Sequence, residues 1–337
     1  MMVTDDVSGQ LAYAPAPDFP RCPACGHPFE FDPGQTIPYR TGGTPPAGVH
    51  LPSHVAFCRS CGLGAALPPF SEADEAVIYK QGQFWQNALP PEPRQDLRKL
   101  SLALALAESR WRFIKQHWSG KSAGSGLRLL DIGSGQGAMG LVAAKDRTTP
   151  LSEYVAVEPD GGMRAELSGF WQREGLQVPL RQTASLEELG PAAGRFDIVV
   201  LSHVLEHLRS PGELLKQVSP YLRDSGALFI EVPHQDYLFK RDIFPHLLFF
   251  SHGSLKALLL QGGWDIQSIE SYGRDQAKTP FRRDSSIVLR IVIRLMGKLE
   301  RHIPSGLQRA GYRWAFGIDR KNPKGTWLRA LSSPKKQ

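Results

Sequence analysis

No stretch of the chain comes near the ~20 consecutive apolar residues that a membrane-spanning helix requires. Even the apolar segment Ile287 to Met296 is interrupted by Arg290 and Arg294. The opening residues, MMVTDDVSGQ, carry two acids and no apolar run. That excludes a readable secretory or transit signal, so the expected location is cytoplasmic. Cysteine is scarce: the 337 residues contain 4, none beyond Cys61. Acid is scarce at the C-terminal end, where only Asp284, Glu300 and Asp319 follow Phe281 against fourteen Lys and Arg. The formal charge of +7 is therefore a local property, since the rest of the chain is close to neutral or slightly acidic. Hydrophobic residues at 41% and charged residues at 22% exclude a wholly disordered or fibrous protein. The length implies one core of ordinary size with smaller appendages.

Residues 1–20 are rich in Ala, Pro and Asp without periodicity and read as a flexible lead-in. Residues 21–70 form a small Gly/Pro-rich module around the four cysteines, and 71–126 a helical connector that caps a pocket. Residues 127–294 are expected to be the core and 295–337 a basic C-terminal extension. In the core, strands are predicted at Leu127 to Ile132, Tyr154 to Val157, Phe196 to Leu201, Gly226 to Val232 and Trp264 to Ile269. Helices are predicted at Ala138 to Lys145, Ala165 to Arg173, Pro211 to Leu222 and Ser254 to Gln261. Apolar strands alternating with amphipathic helices predict an α/β, doubly wound, mainly parallel, Rossmann-like sheet of seven strands. Ser285 to Arg294, dense in β-branched residues, is a candidate for its closing antiparallel strand, a strand being preferred for Ile287 to Leu289 and the rest left open. The same residues as a helix would set Arg290, Arg294 and Lys298 on one stripe, as on an interfacial helix.

The sharpest motif is Leu129-Leu130-Asp131-Ile132-Gly133-Ser134-Gly135-Gln136-Gly137, a buried strand entering a glycine turn that opens a helix. Ligands of such sheets sit at this carboxyl edge, and glycine lets backbone pass close to a bound molecule. Gly135-Gln-Gly137-Ala-Met-Gly140 also has the G-x-G-x-x-G form of dinucleotide binders. Asp131 argues against that reading, because a carboxylate there opposes a pyrophosphate at the helix N-terminus. It suits the ammonium and sulfonium cation of S-adenosylmethionine. Glu158, at the end of the second strand and followed by Pro159, can accept both ribose hydroxyls. The third strand runs through Ser202 and His203 into Val204-Leu205-Glu206-His207, which places polar groups beside the transferred methyl.

These segments together resemble the class I methyltransferase family over roughly residues 127 to 272. Cys58-Arg-Ser-Cys61-Gly-Leu, with Pro68 and Tyr79, resembles the amino-terminal zinc module of bacterial methyltransferases that modify sugars, surface glycans or secondary metabolites. The resemblance implies a small-molecule, sugar or lipid-linked acceptor.

Cys22-Pro-Ala-Cys25-Gly and Cys58-Arg-Ser-Cys61-Gly repeat one knuckle form, and two such pairs close a tetrahedral zinc site. A redox dithiol or two disulfides are the alternatives, disfavoured in a cytosolic protein. Four thiolates leave no open coordination position, so the Zn2+ is assigned to structure or substrate docking.

Methyl transfer requires alignment of the nucleophile and removal of its proton, and histidine suits the second task. The candidates are His207, His234, His246 and His252, with His246 ranked first as base and His207 second. Glu231-Val-Pro233-His234 and Phe244-Pro-His246-Leu-Leu-Phe249-Phe250-Ser251 resemble the substrate-facing insert of the same group, and His246 holds its recurrent histidine position. Sugar C-methyltransferases carry a denser Tyr-His-Glu-His cluster there, whereas this chain has Ile243, Phe244 and Pro245, which favours an oxygen acceptor first and a nitrogen acceptor second. Glu206 and His207 resemble the Glu-His pair of quinone-biosynthesis O-methyltransferases, in which a divalent ion can assist. Tyr79 and Trp85 are candidates to cap the acceptor pocket. The basic tail raises two partners: a membrane surface, with a peripheral position at its inner face, and nucleic acid, which would make the chain an RNA methyltransferase or a binding module. Against the latter, Ser202-His203-Val204 replaces the Asn/Asp-Pro-Pro-aromatic motif used on exocyclic amines.

Overall fold

Alternating apolar side chains in a strand point to opposite faces, so a run such as Phe196-Asp-Ile-Val-Val-Leu-Ser must be covered on both. In the computed structural model Ile198 and Val200 enter one apolar cluster, and Val199 and Leu201 another across the sheet. The structure describes residues 14–79, 100–120, 126–279 and 302–335, with Ile287, Val288, Ile291 and Leu295. Trp85, most of the first twenty residues and part of the helical connector lie outside the described residues.

The N-terminal module contains β1 (Ala14–Pro15), β2 (Glu30–Phe31), β3 (Ile37–Pro38), β4 (His54–Phe57) and β5 (Gly64–Leu67). After it come α1 (Glu72–Tyr79) and α2 (Ser101–His117). The core continues with β6 (Leu127–Ile132), α3 (Ala138–Ala144), β7 (Leu151–Val157), α4 (Gly161–Arg173), β8 (Leu180–Thr183), α5 (Leu186–Leu189) and β9 (Phe196–Ser202). It ends with α6 (Pro211–Val218), β10 (Leu222–Pro233), β11 (Leu248–Phe249), α7 (His252–Gln261), β12 (Trp264–Tyr272), α8 (Ser305–Phe316) and β13 (Trp327–Pro334).

The large sheet has seven strands in the order β12-β13-β10-β9-β6-β7-β8. β8, β7, β6, β9 and β10 run parallel, and β13 is antiparallel to both β10 and β12. Helices α2, α3 and α4 cover one face through Trp111, Phe113, Leu141, Leu167 and Phe170. The other face takes Leu215 and Val218 of α6, Leu255, Leu258 and Leu259 of α7, and the apolar side chains of the N-terminal module. Each such buried Leu, Val or Phe contributes about 1.5–3 kcal/mol. Gly140 shows how close the layers come: a Cβ there would lie 2.2 Å from the ring of Tyr154.

The sheet order reverses between β6 and β9, which opens the ligand crevice where the glycine turn and the ends of β7 and β9 meet. The closing strand differs from the expectation. Ile287 and Val288 are helical, and Trp327–Pro334 closes the sheet, so the core reaches into the segment expected to be an extension. Arg329 conceals this strand in the sequence. It is fully buried, and its Nε donates to Glu231 Oε2 at 2.6 Å, while Arg110 Nε donates to Glu231 Oε1 at 2.8 Å. A buried charge is tolerated only when paired in this way.

The N-terminal module is not a separate appendage. Its sheet runs β11-β5-β4-β3 and takes its edge strand from the insert after β10, with Leu248 opposite Ala65 and Phe249 opposite Gly64. The segment that carries His246 is thus hydrogen-bonded into the cysteine module.

Candidate active site and cysteine centre

Gly133, Gly135 and Gly137 have φ of +70°, +54° and +72°, the left-handed region in which side chains are strained. A Cβ would meet Val204 at 2.6 Å from Gly133 and Leu167 at 2.3 Å from Gly137, but nothing within 4 Å from Gly135. The turn is therefore packed at its ends and open at its middle. Glu158 holds it in place: Oε2 accepts from Gly135 N at 2.8 Å and Oε1 from Asp160 N at 3.0 Å. Burial raises the pKa of Glu158. Its neighbour Pro159 accepts at its carbonyl from Arg164 at 2.9 Å.

Asp131 is 2% exposed and takes a 2.8 Å hydrogen bond from the Tyr154 hydroxyl. Burial lifts its pKa to about 7, so a cation brought beside it would favour the ionised form. Ser134 Oγ and Ser202 Oγ, flanking this space, are buried with no hydrogen-bond partner. Buried polar atoms are rarely left so, and two of them at one crevice fit a ligand with its own donors and acceptors, as S-adenosylmethionine has.

His203 follows β9 at φ +57°, a conformation that costs a non-glycine residue roughly 1–2 kcal/mol. Its ring explains why it persists: Nδ1 lies 3.0 Å from Glu206 Oε1 and Nε2 3.3 Å from Glu231 Oε1. Burial opposes protonation, but these two carboxylates raise its pKa. Burial likewise opposes the charge of Glu206, and the hydrogen bond from His203 still brings it down to about 2. His203 also lines a cavity of about 210 Å³, with Leu102 and Leu106 of α2, Pro233, Phe239, Phe316 and Trp327 as apolar walls and Lys240 and Thr326 as polar ones.

His207 and His246 come together with their rings 5.0 Å apart. Tyr79 Oη lies 3.1 Å from His207 Nδ1. Burial lowers the pKa of His207 to about 4, which keeps it neutral at physiological pH. His246 Nδ1 lies 2.9 Å from Oδ2 of Asp236, whose carboxylate is 1% exposed and has Lys240 Nζ at 3.0 Å on the same oxygen. Burial works against the charge of Asp236, yet Lys240 and His246 hold its pKa below the usual carboxylate range. The imidazole thus sits beside a buried carboxylate as an ion-pair contact, with neither His246 Nδ1 nor the Asp236 oxygens in good hydrogen-bonding geometry. The Tyr39 hydroxyl donates to the carbonyl of His246 at 3.0 Å, which ties this residue again to the N-terminal module. Glu206, His207 and His246 also present ligand atoms within 4.8 Å of one another, a set that could hold a divalent ion.

His234 and His252 are not part of this group. They face each other at 5.0 Å, and His234 Nδ1 lies 2.9 Å from the carbonyl of Gly325, a structural role. The sequence reading missed Asp236, Lys240, Tyr39 and the Arg110–Glu231–Arg329 cluster. Asp236 stands ten residues before His246 in an irregular segment, and no local pattern marks the pair.

The four cysteine sulfurs also lie within 4.8 Å of one another, with Cys22 to Cys61 at 3.6 Å and Cys25 to Cys58 at 3.8 Å. Sulfurs about 2.3 Å from a tetrahedral zinc are about 3.8 Å apart, so the donor set fits the ion. The two knuckles are built alike: Gly26 N donates to Cys22 O at 2.9 Å and Gly62 N to Cys58 O at 2.8 Å. Both glycines have φ near +70°.

The seven-stranded sheet with its glycine turn, Asp131 and Glu158 defines a class I S-adenosylmethionine-dependent methyltransferase domain. The family model described as "Methyltransferase domain" matches residues 97–269, and the chain belongs to that family. It is 30% identical over 112 residues to a ubiquinone biosynthesis O-methyltransferase of Caulobacter sp. (strain K31), covering 33% of this chain and 43% of the relative. It is 23% identical over 175 residues to the protein of the same name from Rhodopseudomonas palustris (strain HaA2), covering 52% and 66%. The chain thus spans about two fifths of the length of the first of these relatives. Among solved structures, coclaurine N-methyltransferase bound to N-methylheliamine and SAH aligns with a TM-score of 0.45 at 15% identity, covering 67% of this chain and 72% of that one. No helix among the described residues is long and apolar enough to cross a membrane.

Proposed function

We propose that the chain transfers a methyl group from S-adenosylmethionine to an oxygen of a small-molecule, sugar or lipid-linked acceptor. The observation that carries the donor assignment is the open glycine turn held by Glu158, with the Ser134 and Ser202 hydroxyls buried and unpartnered beside it. When bound, the donor supplies a methyl group on an already activated sulfonium, and the C–S bonding pair leaves with the sulfur. His246 takes the acceptor hydroxyl proton on Nε2 while the Asp236 carboxylate lies beside Nδ1; His207, kept neutral by burial, is the second base. The relatives' names as O-methyltransferases support oxygen as the acceptor atom. In this reading Cys22, Cys25, Cys58 and Cys61 hold one Zn2+ whose role is to brace β5, and through it β11 and the His246 segment. A cytoplasmic enzyme peripheral to the inner membrane face belongs to the same proposal.

A nucleic-acid acceptor has less support, because several C-terminal cations are engaged within the fold. Arg309 and Arg313 pair with Glu108, Lys321 with Glu270, and Arg329 is buried on Glu231.

Calorimetric titration with S-adenosylmethionine and, in parallel, NAD tests the donor, after the absorbance ratio has been read for bound nucleic acid. Micromolar binding of the methyl donor alone is expected. Binding of NAD instead, or of neither ligand in protein that carries RNA, would overturn the proposal. His246→Ala should leave donor affinity unchanged and lower kcat by roughly 10²–10⁴-fold; retained turnover would remove it as the base.

A further inference from the structure

A contiguous patch of large apolar side chains left exposed on a folded chain marks an interaction surface. Six of the most exposed ones among the described residues fall after Phe281: Ile287 (66%), Val288 (61%), Ile291 (49%), Leu295 (49%), Leu307 (65%) and Trp314 (60%). The first four are helical, and at about 100° per residue they fall within an arc of about 100°, one continuous stripe. Leu307 and Trp314 are seven residues apart on α8 and thus about 20° apart on its surface. The inner side of α8 buries Ala315 and Phe316, and Phe316 is a wall of the cavity that His203 lines.

Charge decides what covers this face. Residues 282–301 contain six Lys and Arg against two acids. Apolar residues set among excess positive charge match the interface of an anionic bilayer, where the side chains enter the acyl boundary and the cations meet headgroups. A tryptophan beside a cation suits that depth, and Trp314 has Arg274 over its ring at 5.2 Å. A second copy of the chain would bring two positive surfaces together, and a nucleic acid would leave five aliphatic side chains uncovered.

We infer that Ile287, Val288, Ile291 and Leu295, with the Leu307/Trp314 face of α8, form a docking surface for an anionic lipid bilayer. This deepens the methyltransferase reading by selecting a bilayer-resident acceptor, delivered beside the Phe316 wall of the cavity. Docking itself requires no donor, so the two ideas fail separately.

The test is co-sedimentation of the full chain with vesicles of phosphatidylcholine alone or mixed with phosphatidylglycerol, with S-adenosylhomocysteine affinity measured on the same samples. The wild type should pellet with the mixed vesicles only, and raised salt should release it. The pair Ile291→Asp/Leu295→Asp and, separately, Leu307→Ser should each weaken vesicle binding at least tenfold without changing S-adenosylhomocysteine affinity. Leu260→Asp, an equally exposed leucine on α7, should bind as the wild type does. Absence of wild-type pelleting, full binding by the Ile291/Leu295 pair, or dimerisation lost in that pair in place of vesicle binding would each overturn the inference. Loss of S-adenosylhomocysteine binding in the wild type would instead count against the donor assignment and leave docking standing.

Discussion

Replacing Gly135 by alanine should leave the fold nearly intact and abolish donor binding, and the two effects can be sized separately. At φ +54° the new side chain meets the left-handed penalty of roughly 1–2 kcal/mol. It meets no described atom within 4 Å, so no packing cost is added. A chain of this size should lose roughly 1–2 °C in Tm per kcal/mol. Gly175→Ala is the matched control, since Gly175 has φ +61° and equally open surroundings away from the crevice. Alanine at Gly133 or Gly137 would be a poorer probe, because its Cβ would collide with Val204 or Leu167. The Gly135 methyl instead stands in the space over the turn, next to the amide that Glu158 holds. A loss of at least about a hundredfold in S-adenosylhomocysteine affinity, about 2.7 kcal/mol, is expected from Gly135→Ala and none from Gly175→Ala. Calorimetric titration and thermal melts of the two variants measure both quantities. If Gly135→Ala binds the product as the wild type does, the donor does not lie on this turn and the assignment is wrong.

Donor affinity should also depend on pH. Asp131 titrates at about 7 when no ligand is bound, and a cationic ligand selects its ionised form, so binding weakens as pH falls. Between pH 8 and pH 6 the ionised fraction drops about tenfold, and the apparent Kd should rise by the same factor. Asp131→Asn should flatten this dependence; an equally steep profile in the variant would assign it to another group. Cys58→Ser should lower the bound zinc measured by mass spectrometry and, because β5 pairs with β11, increase amide exchange over residues 243–250. Unchanged exchange in the metal-free protein would sever the link between the cysteine centre and His246. Glu231→Gln should destabilise the chain by about 3–5 kcal/mol, since it leaves the fully buried Arg329, and the half-buried Arg110 beside it, without their counter-charge. A loss below 1 kcal/mol in denaturant melts would show that water or rearrangement satisfies both guanidinium groups.

The parallel strands were legible because their chemistry is local. Leu127 to Ile132 and Phe196 to Leu201 are apolar on both faces, and only a sheet covered twice can use such runs. The glycine turn was legible for a similar reason, as left-handed backbone at Gly133, Gly135 and Gly137 demands glycine and leaves its mark in the letters. The two cysteine knuckles are equally local, each closed by its own glycine. β13 was not legible, because the pairing of Arg329 with Glu231 joins residues 98 positions apart, and an unpaired arginine reads as surface. Ile287 to Leu289 looked the better strand on β-branched density alone, since propensity says nothing about which partners are available.

The sequence by itself therefore determined the class of sheet, the glycine turn and the two cysteine knuckles, each encoded in a short run of residues whose backbone geometry admits few alternatives. Only the tertiary structure decided that the cysteine module shares a sheet with the His246 segment, that Asp236 lies beside that histidine, and that His203 sits between Glu206 and Glu231. The β5–β11 pairing and the His203–Glu231 contact join distant segments, while Asp236–His246 and His203–Glu206 depend on how irregular backbone folds over a few residues. They exist because the packed core brings the carboxyl ends of β9 and β10 under the insert, and no short-range pattern in the chain records which side chains meet there.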